Sequence, residues 1–318
     1  MTTPALAAHD SRRLAIGYAL LLSATVLFAL NGSVVKSILL SGVSATTLSE
    51  TRAMGAFAIL FILVAITRPR ALRIRRDEWK LLLAYGVIGV SMTQFLYFVA
   101  IERMPIGIAL IIEFTAPIWI LLFMRFVLKK QVDRLLWLAL ALSFSGLIVV
   151  TQVWRGLALD GIGLLAAFLD SIALAGYFLI AEKLGKTKTG AVMTVWGFGI
   201  GTLIMAFMMP LWSFPTEYFS ISMQLPGFLD QYSLPGWMLI GWVVVFGTLL
   251  PYLLVIAGLR ILSASTASII GILEPVLASL FAWWFLSEVL NNVQLAGAIV
   301  VVIGIYFANR ARDRSPHL

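Results

Sequence analysis

Long apolar runs separated by short polar segments dominate the chain. The runs fall near 14–40, 45–67, 79–101, 104–126, 134–152, 160–182, 190–212, 235–259, 262–285 and 293–309. A helix rises 1.5 Å per residue, so about 20 apolar residues cross a hydrocarbon core about 30 Å thick. Strands of a membrane barrel would instead alternate over about ten residues, and no such alternation occurs. The pattern predicts an all-α polytopic membrane protein of ten spans.

The polar segments between the runs orient the spans. An even number of spans puts both termini on one side, and with that count nineteen of the 23 Lys and Arg fall on the side of the termini. The largest groups are Arg68, Arg70, Arg73, Arg75, Arg76 and Lys80, and then Arg125, Lys129, Lys130 and Arg134. Arg103 and Arg155 fall opposite, while Lys36 and Arg52 lie inside runs. Basic loops stay in the cytoplasm, so the tails 1–13 and 310–318 are expected to be cytoplasmic. The stretch before Arg13 lacks a cleavage motif, and the first run is expected to remain as a span. Trp79 and Trp137 at inner ends, and Trp154, Trp212, Trp237 and Trp284 near outer ends, read as an interfacial aromatic belt. The segment 210–235, with Pro210, Pro215, Pro226 and Pro235, is expected to lie along the outer interface.

Composition narrows the chemistry. Of 318 residues, 61% are hydrophobic and 12% charged, about half the charged share of a soluble domain. The net charge of +8 sits in the short loops, which makes it a topology signal and no reason to expect nucleic acid. Cysteine is absent and the two histidines, His9 and His317, lie in the tails. Thiolate and imidazole chemistry inside the membrane are therefore excluded. No glycine-rich phosphate loop ending in Lys and Ser or Thr is present, nor a His-Glu-x-x-His pair. The chain is expected to be neither an ATP-driven pump by itself nor an enzyme, and to need no cofactor or metal. A small-molecule substrate and membrane lipid are the partners expected, with the monomer as the working unit.

Residues 109–146 align without a gap on 267–304 at an offset of 158. Pro117 then matches Pro275 and Gly146 matches Gly304, while "ALNG" at 29–32 echoes "ALAG" at 173–176. Two related halves, 14–152 and 160–309, hold five runs each. An odd number inverts the second half relative to the first, an arrangement typical of secondary transporters. A duplicated but static bundle is the alternative.

The paired segments "AIERMPIGIALIIEFTAPIWILLFMRFVL" (100–128) and "AGLRILSASTASIIGILEPVLASLFAWWFLSEVL" (257–290) resemble the two repeat signatures of the EamA type of the drug/metabolite transporter superfamily. "ALNGSVVK" (29–36) and "EFTAPIWI" (113–120) further resemble the branch of YddG-like bacterial aromatic amino-acid exporters. The resemblance covers about 14–309. It implies a ten-helix inverted repeat that exports small metabolites, most of all aromatic and other neutral amino acids, by alternating access through a central cavity. Efflux of cationic drugs is the runner-up. Lys130 departs from the pattern, since many relatives carry an acid there, as Glu288 is in the second half.

A charge near a helix centre costs about 2.5–3.5 kcal/mol on insertion scales, so it is usually functional or paired. Glu113, Asp170 and Glu274 are three such acids, against the single base Arg52. Lys36 and Glu50 lie near outer ends, where long side chains snorkel. The acids suit the ammonium of a solute in a wet cavity. Pairing with Arg52, or hydrogen bonding to backbone freed by Pro117 and Pro275, are the structural alternatives. Asn31, Gln94, Tyr97, Tyr177, Trp196 and Tyr252 are the other candidate substrate contacts, with interhelical packing as their alternative. Pro117 and Pro275 each remove a helical hydrogen bond and are the candidate hinges. Gly197, Gly199, Gly201 and "SASTAS" (263–268) read as packing surfaces.

Overall fold

The computed structural model describes residues 4–103, 106–152, 154, 160–208, 216–225, 227–286 and 291–314. Arg155, Pro210, Trp212, Pro215, Pro226, Glu288 and His317 lie outside the described residues. Among the described residues, ten helices are long and apolar enough to cross a membrane. They are span 1 (Arg12–Leu40), span 2 (Thr46–Thr67), span 3 (Trp79–Ile101), span 4 (Ile108–Val127) and span 5 (Arg134–Thr151). Span 6 (Gly161–Gly185), span 7 (Gly190–Phe207), span 8 (Gly236–Leu259), span 9 (Ala264–Phe285) and span 10 (Asn292–Ala311) complete the set. Lipid offers no partner for backbone N–H and C=O groups, so each segment satisfies its own as a helix. Helix ends are stopped by side-chain caps. Ser44 accepts from the Thr47 amide and Asp133 from that of Leu135. Asp160 accepts from the Gly163 amide and Ser263 from that of Thr266.

Helix reaches into both polar tails. The first helix already begins at Pro4 and the last continues to Arg314, so helix extends into both segments beyond the apolar runs. Once a span has nucleated a helix, each further residue adds a hydrogen bond at little cost.

Span 2 packs on span 7 and span 5 on span 10. Span 1 packs on spans 8 and 9, while span 6 packs on spans 3 and 4. Close approach of spans 5 and 10 depends on the two glycines singled out in the sequence. A Cβ on Gly146 would lie 2.7 Å from the Gly297 carbonyl oxygen, and one on Gly304 would lie 2.7 Å from the Ser143 nitrogen. Small residues let helix backbones approach this closely in lipid. On span 7, Gly197 faces Tyr85, Gly199 faces Phe57 and Gly201 faces Val90, so that glycine run receives spans 2 and 3.

The segment before span 8 holds a small folded element. Strands β1 (Ser222–Gln224) and β2 (Ser233–Pro235) form an antiparallel hairpin. Met223 is fully buried among Ile38, Val43, Leu48, Leu239 and Val243. Tyr218 donates to the Gly42 carbonyl at 3.2 Å, and Phe228 stacks on Phe285 with ring centroids 5.9 Å apart. The hairpin therefore covers the ends of spans 1, 2 and 8 and reaches span 9. Trp79, Trp154, Trp237 and Trp284 are exposed, as a belt requires, whereas Trp137 is half-buried against the core.

Candidate functional site

Polar residues of several spans converge where the interruptions in the helices lie. Span 4 breaks after Glu113, the last residue of the helix Ile106–Glu113, and resumes at Ala116 with Pro117 in its first turn. Proline has no N–H, so the Glu113 carbonyl four residues back loses its helical donor. The intervening Phe114 and Thr115 turn tightly, with the Thr115 amide bonding the Ile112 carbonyl at 3.0 Å. Span 9 breaks at Ile272, and Glu274 stands in the first turn of the helix Leu273–Leu286 just before Pro275. Glu113 thus sits at a helix C-terminus, which attracts cations, and Glu274 at an N-terminus, which favours a carboxylate.

Spans 3 and 8 each contain a widened π-helical stretch, Tyr85–Met92 and Val245–Leu249. Such turns leave carbonyls out of register, and hydroxyls recover one in each. Ser91 donates to the Gly86 carbonyl at 2.8 Å and Thr248 to that of Val243 at 2.9 Å. Shortly after these stretches come Gln94 and Tyr252. The Gln94 Oε1 accepts from the Arg52 guanidinium and, at 3.2 Å, from the Ser49 hydroxyl. Its Nε2 donates to the Tyr252 hydroxyl at 3.4 Å. Ser49 and Arg52, three residues apart, share one helix face.

Arg52 is half-buried, and its charge lies within electrostatic reach of Glu113, Glu274, Tyr97 and Tyr252. Glu113 is likewise within reach of Asp170 and Glu274. Asp170 is 1% exposed, and neither carboxylate oxygen has a hydrogen-bond partner among the described residues. Next to it, Ser171 accepts from the Trp119 indole at 2.9 Å, tying span 6 to span 4.

Aromatic rings close one side of this cluster. Tyr252 meets Phe28 edge-on at 5.6 Å, Tyr177 at 5.8 Å and Phe198 at 4.8 Å, and Tyr177 stacks on Tyr85 at 5.6 Å. Edge and offset-stacked pairs of this kind add about 0.5–1.5 kcal/mol each beyond their burial.

The arrangement brings together Gln94, Tyr97, Glu113, Asp170, Tyr177, Tyr252 and Glu274. Asn31 is buried against Gly247 of span 8, beside the π-helical stretch. Trp196 packs on two sides, against the core cluster that includes Tyr85 and Tyr177 and against the wall formed by Leu60, Val64, Val192 and Val195. Pro117 and Pro275 are buried and flank the two breaks. Glu50 does not snorkel: it is 2% exposed, with no hydrogen-bond partner for its carboxylate among the described residues. Span 2 packs against spans 7 and 8. Arg52 is the residue the sequence left outside the set of candidate contacts. Its spacing from Ser49 was the available signal.

Ten apolar helices around a buried cluster of acids, amides and one guanidinium define a multi-pass protein of the cell membrane with a polar centre. The model of the EamA-like transporter family matches residues 15–152 and again 161–310. The chain belongs to that family and is a membrane transporter. It is 29% identical to the threonine/homoserine exporter RhtA of Escherichia coli K12 over 245 residues, 75% of either chain. It is 26% identical to the uncharacterized transporter YwfM of Bacillus subtilis, over 81% of this chain and 84% of that one. A solved crystal structure of a protein superposes with a TM-score of 0.75 at 16% identity, covering 96% of this chain and 99% of its own. At that identity the likeness shows the fold alone.

Proposed function

We propose that this transporter exports neutral amino acids, and is no enzyme, by alternating access between two inverted five-span halves, 14–152 and 160–309. The observation that carries the substrate reading is the single guanidinium set among three carboxylates, Glu113, Asp170 and Glu274. A zwitterion offers a complementary charge to each sign. RhtA, a relative by sequence, exports amino acids, which supports the same class. The excess of acids favours cationic drugs as the second reading.

Three features support the inverted halves. The family model matches twice, each match holding five spans. The packing pairs are reciprocal: exchanging the halves turns spans 1 and 8 into 6 and 3, and spans 4 and 6 into 9 and 1. The helix breaks at Phe114 and Ile272 are separated by the same offset of 158 as Pro117 and Pro275. Those breaks are the hinges of the proposed motion, and a monomer in lipid suffices for it.

Liposomes loaded with labelled L-threonine or L-phenylalanine should release label faster with the purified protein than without it. Release of neither, with efflux of a lipophilic cation such as tetraphenylphosphonium instead, would select the drug reading. The absence of cysteine makes single-cysteine labelling a direct test of topology. Arg68→Cys should react only from the cytoplasmic side and Tyr232→Cys only from the outside.

A further inference from the structure

We infer that Arg52 takes the carboxylate of a zwitterionic solute while Glu113, with the backbone at its helix end, takes the ammonium, so that Arg52 sets the selection of zwitterions over cations. The inference rests on the amino-acid reading above and deepens it.

Arg52 is held in a particular way. Gln94 presents its carbonyl oxygen to both Arg52 and Ser49, because its amide nitrogen is turned to Tyr252. A guanidinium carries five N–H donors in a planar fork, and the Gln94 bond takes one. The fork matches a carboxylate in two-point geometry better than any other side chain does. An arginine whose only task was to neutralise the acids would be expected to pair with one of them directly. Among the described residues its hydrogen bond is to a neutral amide, and it forms no ion pair with the acids that stand within its electrostatic reach.

The ammonium end follows from the break in span 4. The last turn of the helix Ile106–Glu113 points its carbonyls onward, and Pro117 leaves the Glu113 carbonyl without its helical donor. A carboxylate and a free carbonyl at a helix C-terminus form a cation site, the device that broken membrane helices use for cations. Glu113 and Arg52 being within electrostatic reach, one small zwitterion can address both. Without Arg52 the centre holds only acids, which select a cation.

The test uses counterflow of labelled L-threonine by the full chain in liposomes, with L-threonine and L-threonine amide as competitors. The amide keeps the ammonium and lacks the carboxylate. On the unaltered protein the amide should compete about tenfold or more weakly, as expected when a site's polar group loses its partner. Arg52→Gln should raise the KM for L-threonine by a similar factor while the amide competes as well as before or better. Arg52→Lys should recover part of the L-threonine transport. Equal competition by acid and amide on the unaltered protein overturns the inference, even if no Arg52 variant folds. So does an Arg52→Gln protein that transports L-threonine normally, or that loses acid and amide alike. Failure of the unaltered protein to move any amino acid overturns the amino-acid reading itself, and the inference with it.

Discussion

The side chains of Gln94 and Tyr252 meet across 3.4 Å, amide to phenol, and the two residues stand 158 positions apart in the chain. That separation is the offset at which Pro117 matches Pro275. Gln94 on span 3 gathers Ser49 and Arg52 of span 2, while Tyr252 on span 8 gathers rings from spans 1, 6 and 7. One contact therefore joins six spans at the centre of the bundle.

Tyr252→Phe keeps the rings and loses only the hydroxyl. Interhelical hydrogen bonds in membranes average about 0.6 kcal/mol, so its thermal unfolding in detergent should shift little. Tyr252→Ala removes three ring contacts and should cost about 3–5 kcal/mol, the range for aromatic truncation in a core. Gln94→Leu should lower transport more than Tyr252→Phe does, because it frees Arg52 from its anchor. Equal transport in the two variants would separate Gln94 from the solute path.

Glu274→Gln and Asp170→Asn are expected to reduce efflux from liposomes by about tenfold or more, the loss that follows when a polar group of a binding site is removed. Elution of the purified proteins on size exclusion should stay unchanged. If both variants transport normally, the acids serve packing alone.

Gly146→Leu should disrupt the seam between spans 5 and 10, since two of the three atoms its Cβ meets, the Gly297 oxygen and the Val301 nitrogen, are backbone of span 10 and cannot swing aside. Overpacking costs typically 1–3 kcal/mol, and a seam of facing backbones should stand at the upper end. Gly241→Ala is the control, with open space around its Cβ. A monodisperse Gly146→Leu protein melting at the original temperature would contradict the close packing.

The ends of spans 3 and 7 are tied by an ion pair of 2.7 Å between Lys188 and Glu78, whose side chains are each 12% exposed. The hydrogen bond from Lys188 holds the Glu78 carboxyl below its ordinary value of 4.5. A depressed carboxyl stabilises the fold above the unfolded value and loses that contribution as pH falls through the folded one. Melting temperature should therefore drop in the acid range below about pH 4.5 more steeply for the natural protein than for Glu78→Gln. Parallel curves would mean the pair contributes nothing to folding.

Much of the architecture was legible before any coordinates. The ten runs become ten spans with ends shifted by a few residues, because a backbone in hydrocarbon must pair with itself, and an apolar run of about 20 residues does so locally as a helix. Gly146 and Gly304 were found by repetition and turn out to touch the facing helix. The hairpin before span 8 was not legible: its strands are three residues each, and what folds them is Met223 entering a pocket built by spans 1, 2 and 8. Glu50 misled for a similar reason. Its place near the end of span 2 suggests access to water, but spans 7 and 8 pack against span 2 and it is buried.

By itself, then, the order of apolar and polar residues determined the class, the number of crossings, the breaks at the prolines and the three acids within spans. These depend on length, local backbone chemistry and solvation, all written along one helix at a time. Only the tertiary structure decided that Arg52 hangs from Gln94 within electrostatic reach of Glu113 and that Trp196 packs between the central core and the wall of spans 2 and 7. The helical period sets which residues share a face; which face of another helix meets it depends on the packing of the whole bundle.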